Sequence, residues 1–137
     1  MIGRSLKTFL GYGFLVLNEK KIDERTFDFA LRVVDAYRFL LRKKEFVLSK
    51  QFLRSGTSIG ANVVESQAAQ SRNDFISKMS IASKEARETA YWIRLLKRSG
   101  YFEGYEKVDI LEKDISSIMR ILTSIVKTTR ENNPKPR

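Results

Sequence analysis

The carboxylates Glu65, Glu85 and Glu88 are the side chains of this sequence that could act as general bases or metal ligands. The chain of 137 residues contains no histidine and no cysteine. It therefore lacks the usual general base, the thiolate nucleophile and the commonest metal ligands, and a serine nucleophile would lack its imidazole partner. The sequence predicts that the chain is not an enzyme and holds no cofactor and no metal. An all-carboxylate site is the remaining catalytic alternative.

Basic side chains point to a different chemistry, the binding of polyanions. Lysine and arginine number 26 against 16 acidic residues, so the formal net charge is +10. A charge of roughly 2 to 8 is enough to keep a small domain in solution. The excess is typical of proteins that contact nucleic acid or anionic surfaces. Simple solubility is the alternative explanation.

A basic row on the third predicted helix is the candidate contact surface. Lys84, Arg87, Arg94 and Arg98 are spaced to share one helical face, and Tyr91 lies in the gap of the row. Such a row could follow a phosphate backbone while the aromatic ring stacks on a base. A solvated bundle face explains the same pattern equally well. The predicted nucleic-acid-binding residues are Lys84, Arg87, Arg94, Lys97, Arg98, Arg38 and Arg42.

A polar row in the second predicted helix has two interpretations. It could bind a ligand or a phosphate, or it could form a structural network between helices. The structural interpretation is favoured, with the arginine of the row paired to a carboxylate such as Glu65 or Glu88. Gly56 and Gly60 lie four residues apart beside this row and predict close approach of a neighbouring backbone. The predicted network comprises Arg54, Ser55, Ser58, Asn62, Glu65 and Glu88.

Four segments with helical periodicity position these side chains, and no alternating strand pattern competes with them. They are predicted at 26–44, 48–69, 72–99 and 106–130. Short breaks between them favour an all-α, up-down-up-down four-helix bundle. The last segment carries a heptad seam with apolar residues beside it, and this extra width predicts a homo-oligomer.

The two ends of the chain are predicted to lie outside the bundle. The predicted domains are an N-terminal arm at 1–25, the bundle at 26–131 and a disordered tail at 132–137. An apolar run at 8–17 resembles the start of a signal peptide, but no cleavage site follows it and it is too short to span a bilayer. A packing arm or a misassigned start codon is the preferred interpretation. The predicted location is cytoplasmic, without a membrane partner.

The second and third segments together resemble a known family. The stretch 51–65 reads QFLRSGTSIGANVVE and resembles the signature of the family named for the 23S rRNA intervening sequence protein. The segment 74–101 resembles the third helix of that family and its following Gly-Tyr. The resemblance covers about 26–128. Ser66 stands where the family usually has glycine, and Glu85 where it often has a small residue.

The resemblance implies a four-helix bundle that commonly assembles as a homopentamer. It implies a bacterial protein, encoded within an insertion in a ribosomal RNA gene or elsewhere in the genome. A related branch acts as the basic accessory protein of diversity-generating retroelements. That branch implies RNA, DNA or a reverse transcriptase as partner. A nucleic-acid-binding oligomer is therefore the main hypothesis, and a protein-interaction scaffold is the alternative.

Overall fold

The computed structural model describes residues 21–132 as four α-helices joined by short loops. The helices are α1 (Ile22–Arg42), α2 (Leu48–Ser66), α3 (Arg72–Arg98) and α4 (Val108–Glu131). Residues 1–20 and 133–137 lie outside the described residues, and with them most of the predicted arm and tail. The predicted all-α four-helix bundle is confirmed.

The order of the helices around the bundle decides which faces are neighbours. α2 packs against α1 and α3, and α4 packs against α3 and α1. The main packing contacts therefore place α1 and α3 diagonally across the bundle. Two side chains on α3 and α4 can share a surface, whereas side chains on the outer faces of α1 and α3 point in opposite directions.

The heptad seam of α4 forms one wall of the core. All six of its members are buried: Val108, Leu111, Ile115, Ile118, Leu122 and Ile125. The apolar residues beside the seam mostly pack on the same core, since Met119, Ile121 and Val126 are partly buried against it. Ile110 remains exposed over 40% of its surface. The width of the apolar arc of α4 is thus largely explained within one chain and does not by itself require a second subunit.

The first helix begins at Ile22, before the predicted start at Thr26. The cap is Lys21, which provides no side-chain hydrogen bond, so the sequence carries no strong start signal there. Thr26 lies inside the helix instead. Its hydroxyl donates to the Ile22 carbonyl oxygen at 2.8 Å, and the residue is fully buried. A threonine that resembles an N-cap in the sequence is therefore a small packing residue.

Close packing of α1 on α2 explains the two glycines of α2. A Cβ atom added at Gly60 would lie 3.3 Å from the backbone oxygen of Thr26, so the predicted backbone approach is present there. At Gly56 the neighbour is a side chain, because an added Cβ would lie 2.7 Å from Cγ2 of Val33. The pair of glycines thus lets two helices pack more closely than larger residues allow.

Local hydrogen bonds define the ends of α3. Ser71 caps its N-terminus by accepting a hydrogen bond from the Asp74 amide at 3.0 Å. At the other end Gly100 has a φ of +88°, and the Tyr101 amide donates to the Leu96 carbonyl. This is a Schellman turn, which fixes where the chain leaves α3 for α4.

Candidate nucleic-acid interface

The basic row of α3 lies on an exposed face of the bundle. Lys84, Arg87, Arg94 and Arg98 are all solvent-exposed, and the Tyr91 ring between them is 52% exposed. Tyr91 contacts the ring of Trp92 edge-on, with 5.1 Å between ring centroids. That contact supports the tyrosine ring from one side and leaves much of it accessible to a stacking base.

A second set of cations on α4 lies beside this row. Lys127 and Arg130 face α3 across the groove between the two helices, and Arg120 lies seven residues before Lys127 on the same side of α4. We call Lys84, Arg87, Arg94, Arg98, Arg120, Lys127 and Arg130 the basic face. The sequence interpretation missed its α4 members because acidic residues slightly outnumber basic ones over 103–131. Their heptad spacing was the available signal.

The members of the basic face are not neutralised by neighbouring carboxylates. Within residues 21–132, none of their side chains forms an ion pair or a hydrogen bond. Some basic residues elsewhere in the bundle are paired, for example Arg32 with Asp114 at 3.2 Å and Lys78 with Glu65 at 3.7 Å, whereas others, such as Lys50 and Lys113, have no ion pair within residues 21–132. Unpaired like charges on one surface repel one another and attract a polyanion. The structure therefore places seven unpaired cations on the adjoining exposed faces of α3 and α4.

A groove between α3 and α4 lies within the basic face. Its volume is about 430 Å³. It is lined by Ser80, Ser83, Lys84, Arg87, Thr123, Val126, Lys127, Arg130 and Glu131. Four of these side chains are cationic and one is anionic, so the groove is positively charged overall.

Three other predicted binding residues, Lys97, Arg38 and Arg42, differ from the members of the α3 row. Lys97 donates to Glu112 of α4 at 2.8 Å, and this contact raises the pKa of the lysine. Its charge is thus already compensated. Arg38 and Arg42 lie on α1, diagonally across the bundle, and Arg42 lies over the Phe39 ring at 5.8 Å. The structure does not bring these two arginines together with the α3 row.

Two members of the polar row of α2, Arg54 and Ser55, make hydrogen bonds to α3. Arg54 donates to Glu85 Oε2 at 2.9 Å and also to Glu88. The Ser55 and Thr89 hydroxyls form a hydrogen bond at 2.9 Å in the buried helix interface, with Ser55 donating because the Thr89 proton is directed to the Glu85 carbonyl. Both links join side chains more than thirty residues apart in sequence, so they fix the register of the two helices.

The other members of the predicted network do not join these links. Ser58 donates to the Arg54 carbonyl at 2.7 Å, and Asn62 donates to the Ser58 carbonyl at 2.9 Å, so both satisfy their polar groups within α2. Glu65 pairs with Lys78 and not with Arg54. The alternation of 3 and 4 residues put all these side chains on one side of α2. Sequence spacing alone did not show which of them reach across to α3.

Glu88 is the carboxylate that the network perturbs most clearly. It accepts a hydrogen bond from the indole Nε1 of Trp92 at 3.0 Å and another from Arg54. These donors, the indole first, lower the pKa of Glu88 below its ordinary value of 4.5. A carboxylate stabilised in its charged form is a poor proton acceptor. The geometry gives Glu88 a structural role in the α2–α3 interface.

No group of three or more histidine, cysteine, aspartate or glutamate side chains within residues 21–132 could hold a metal ion. No helix in the same range is long and apolar enough to cross a membrane.

A solved structure is similar to this chain in both fold and sequence. It is the crystal structure of a protein with unknown function from the S23 ribosomal protein family of Bacteroides thetaiotaomicron. The TM-score is 0.74 at 50% sequence identity, and the similarity covers 77% of this chain and 98% of that one. No curated protein sequence matches the chain.

A sequence-family match agrees with the structural similarity. Residues 18–124 match the profile described as the 23S rRNA-intervening sequence protein, which covers most of the chain. The matched range contains the α2 signature and the whole of α3, which carried the resemblance in the sequence. The chain therefore belongs to the 23S rRNA-intervening sequence protein family.

Proposed function

We propose that this protein is a non-enzymatic nucleic-acid-binding protein that contacts the sugar–phosphate backbone through its basic face. The observation that supports the proposal is the set of unpaired cations on two adjacent helices. Cations that already have carboxylate partners must give up an ion pair to bind a phosphate, whereas these do not. Neutralising phosphates releases counterions, which favours binding at low salt.

The dimensions of the basic face suit a nucleic-acid strand. The row from Lys84 to Arg98 extends over about 21 Å of helix at 1.5 Å per residue. This length corresponds to about six nucleotides of a stacked strand at 3.4 Å per nucleotide. Tyr91 lies at the middle of the row, where base stacking on an aromatic ring contributes about 1–3 kcal/mol. Contacts of this kind bind without strong sequence preference.

Fluorescence anisotropy tests the proposal with labelled RNA, single-stranded DNA and duplex DNA across roughly 50–200 mM salt. Binding should weaken steeply with salt. The variant Arg94→Glu with Arg98→Glu should lose most of the affinity, and its salt dependence should fall by about one unit of log–log slope for each phosphate contact removed.

The matched control carries the same change of charge on the diagonal helix. Arg38→Glu with Arg42→Glu should retain most of the affinity, because α1 lies away from the basic face. Equal losses in the two variants would mean that only net charge matters and would refute the site assignment. Absence of binding at the lowest salt would refute the function.

Self-assembly is a second candidate function, favoured by an exposed apolar cluster on α1 and α2. Phe27, Leu31 and Val64 are 64%, 56% and 59% exposed, and Phe27 and Val64 line one surface depression. Large apolar side chains grouped on a surface commonly mark protein interfaces. A second copy of the chain fits this cluster, consistent with the homopentamer that the family resemblance implies.

A reverse transcriptase as partner and a cytoplasmic location stay predictions from the sequence.

Sedimentation velocity tests this assembly directly. The wild-type protein should sediment as an oligomer, and Phe27→Ser with Leu31→Ser should shift it towards the monomer. Exposed Val47→Ser, remote from the cluster in sequence, serves as the control for losing an apolar side chain. A monomeric wild-type protein would exclude assembly and leave the cluster available to a different protein partner.

A further inference from the structure

One hydroxyl in the groove between α3 and α4 has no hydrogen-bond partner. The Oγ atom of Ser80 is buried, yet among residues 21–132 nothing accepts from it or donates to it. Hydroxyls at comparable helical positions donate to the carbonyl one turn earlier, as Thr89 does to Glu85 at 2.7 Å and Thr129 to Ile125 at 2.7 Å. A buried polar group without a partner destabilises the fold, so such groups are rare and call for an explanation.

Four cations line the same groove as Ser80, two from each helix. α3 contributes Lys84 and Arg87, and α4 contributes Lys127 and Arg130. Each helix thus places one lysine and one arginine three residues apart, on the side that faces the other helix. The combination of an uncommitted hydroxyl and two arginines matches the donors that bind a tetrahedral oxyanion.

We infer that the groove between α3 and α4 is a discrete site for one phosphate group, with Lys84, Arg87, Lys127 and Arg130 as its cationic walls and the Ser80 hydroxyl as a donor after rotation about χ1 turns it into the groove. The arginines can each donate two parallel hydrogen bonds to phosphate oxygens, and the lysines act as mobile charges. An oxygen of the phosphate would supply the acceptor that Ser80 lacks. The volume of about 430 Å³ lies within the range of small-ligand sites. It leaves room for the sugar attached to the phosphate.

Among residues 21–132, Glu131 is the one carboxylate that lines the groove. It opposes an anion there and lowers the positive potential of the four cations. Removing its charge should strengthen phosphate binding, whereas a site that merely attracts bulk counterions would respond little. Glu131 therefore provides a variant whose predicted effect has the opposite sign to that of the cations.

The inference deepens the proposed function and rests on it for the source of the phosphate. That source is either an internal phosphodiester of a bound strand or a terminal or free phosphate. Both sources present the same phosphate oxygens to the site. An internal phosphodiester requires the groove to accommodate the strand on both sides of the phosphate, whereas a terminal or free phosphate does not.

Thermal unfolding followed by circular dichroism tests the site on the full-length protein. Sodium phosphate should raise the Tm of the wild type above its value in sodium chloride of the same ionic strength, because a ligand that binds the native state stabilises it. Ser80→Ala should raise the Tm of the ligand-free protein by about 2–6 °C, since it removes an unsatisfied buried hydroxyl and adds a better helix former.

The same variant should weaken phosphate binding about tenfold, the loss expected for one hydrogen bond to a charged ligand. Ser116→Ala is the control, because Ser116 is exposed on α4 and does not line the groove. Arg87→Gln with Arg130→Gln should abolish the phosphate response, and Glu131→Gln should increase it. Equal responses to phosphate and chloride in the wild type would overturn the inference. So would a phosphate response in Ser80→Ala as large as in the wild type.

Two oligonucleotides of one sequence, with a 5′-hydroxyl or a 5′-phosphate, then distinguish the sources. Equal affinities that Ser80→Ala lowers together assign the site to an internal phosphodiester. A preference for the 5′-phosphate that Ser80→Ala removes assigns it to a terminal phosphate. Binding of inorganic phosphate without binding of either oligonucleotide would keep the site and refute the proposed function. Oligonucleotide binding that is insensitive to Ser80→Ala would keep the proposed function and refute the phosphate site.

Discussion

Replacing Gly56 with alanine sets helix propensity against packing, and the structure indicates that packing wins. Glycine in a helix interior is about 1 kcal/mol less favourable than alanine, so Gly56→Ala on an isolated helix would stabilise it. In the bundle the new Cβ would lie 2.7 and 2.8 Å from the two γ-carbons of Val33. Normal carbon–carbon contacts are roughly 3.5–4.0 Å. Relief therefore requires α1 and α2 to separate by about 1 Å.

Rotation of the valine does not remove this clash. Val33 is fully buried, and a β-branched side chain in a helix has one strongly preferred rotamer. Overpacking of this kind costs about 1–3 kcal/mol. After the gain in propensity is subtracted, Gly56→Ala should lower the free energy of unfolding by up to about 2 kcal/mol, measured by urea unfolding. Gly60→Ala should cost less, because its new contact with the Thr26 oxygen is 3.3 Å.

A double-mutant cycle isolates the cause. Val33→Ala removes both clashing carbons, so its destabilising effect should be smaller in the Gly56→Ala background than in the wild type. The coupling should favour the double variant by about 1 kcal/mol or more. A Gly56→Ala variant at least as stable as the wild type, with no coupling to Val33, would refute the account of how α1 and α2 pack.

Two further predictions concern single sites away from the basic face. Lys44 follows α1 with a φ of +62°, so Lys44→Gly should relieve left-handed strain and raise the free energy of unfolding by about 0.5–1 kcal/mol in urea titrations. Trp92 is the only tryptophan and donates to Glu88, so its fluorescence should change as Glu88 protonates. Because the folded pKa of Glu88 is lowered, this contact stabilises the protein above the unfolded pKa and is lost as pH falls through the folded one. The midpoint should lie below 4.5, and persistence of the transition in Glu88→Gln would contradict the assignment.

The sequence predicts the presence of each helix more reliably than the residues at which the helix begins and ends. The 3-4-3-4-3 spacing of α4 predicts a buried seam, because one stripe at helical period must face the core wherever the neighbours lie. The start of α1 was missed because its cap, Lys21, makes no side-chain hydrogen bond. The end of α2 falls at Ser66, before the predicted end at Ala69, because polar positions in the last turn leave little apolar periodicity to mark the boundary.

Residue spacing in the sequence cannot predict which side chains form ion pairs between helices. Arg54 and Arg94 are both helical arginines with nearby acidic residues in the sequence. The partners of Arg54 lie on another helix, and only the assembled bundle brings them within reach. Arg94 has no such partner among the described residues. A basic residue is available to a polyanion when the fold places no carboxylate beside it.

The distribution of carboxylates therefore locates the candidate site more sharply than the distribution of cations does. The acidic residues of α4 lie mainly in its first half, where Glu112 meets Lys97 and Asp114 meets Arg32. Its second half carries Lys127 and Arg130, which face α3 without compensation. The net charge of the α4 segment does not show this difference, because the negative charge of its first half nearly cancels the positive charge of its second half. Once the helices pack antiparallel, the second half of α4 lies beside Lys84 and Arg87 of α3, and the unpaired positive charge of the two helices meets at the groove.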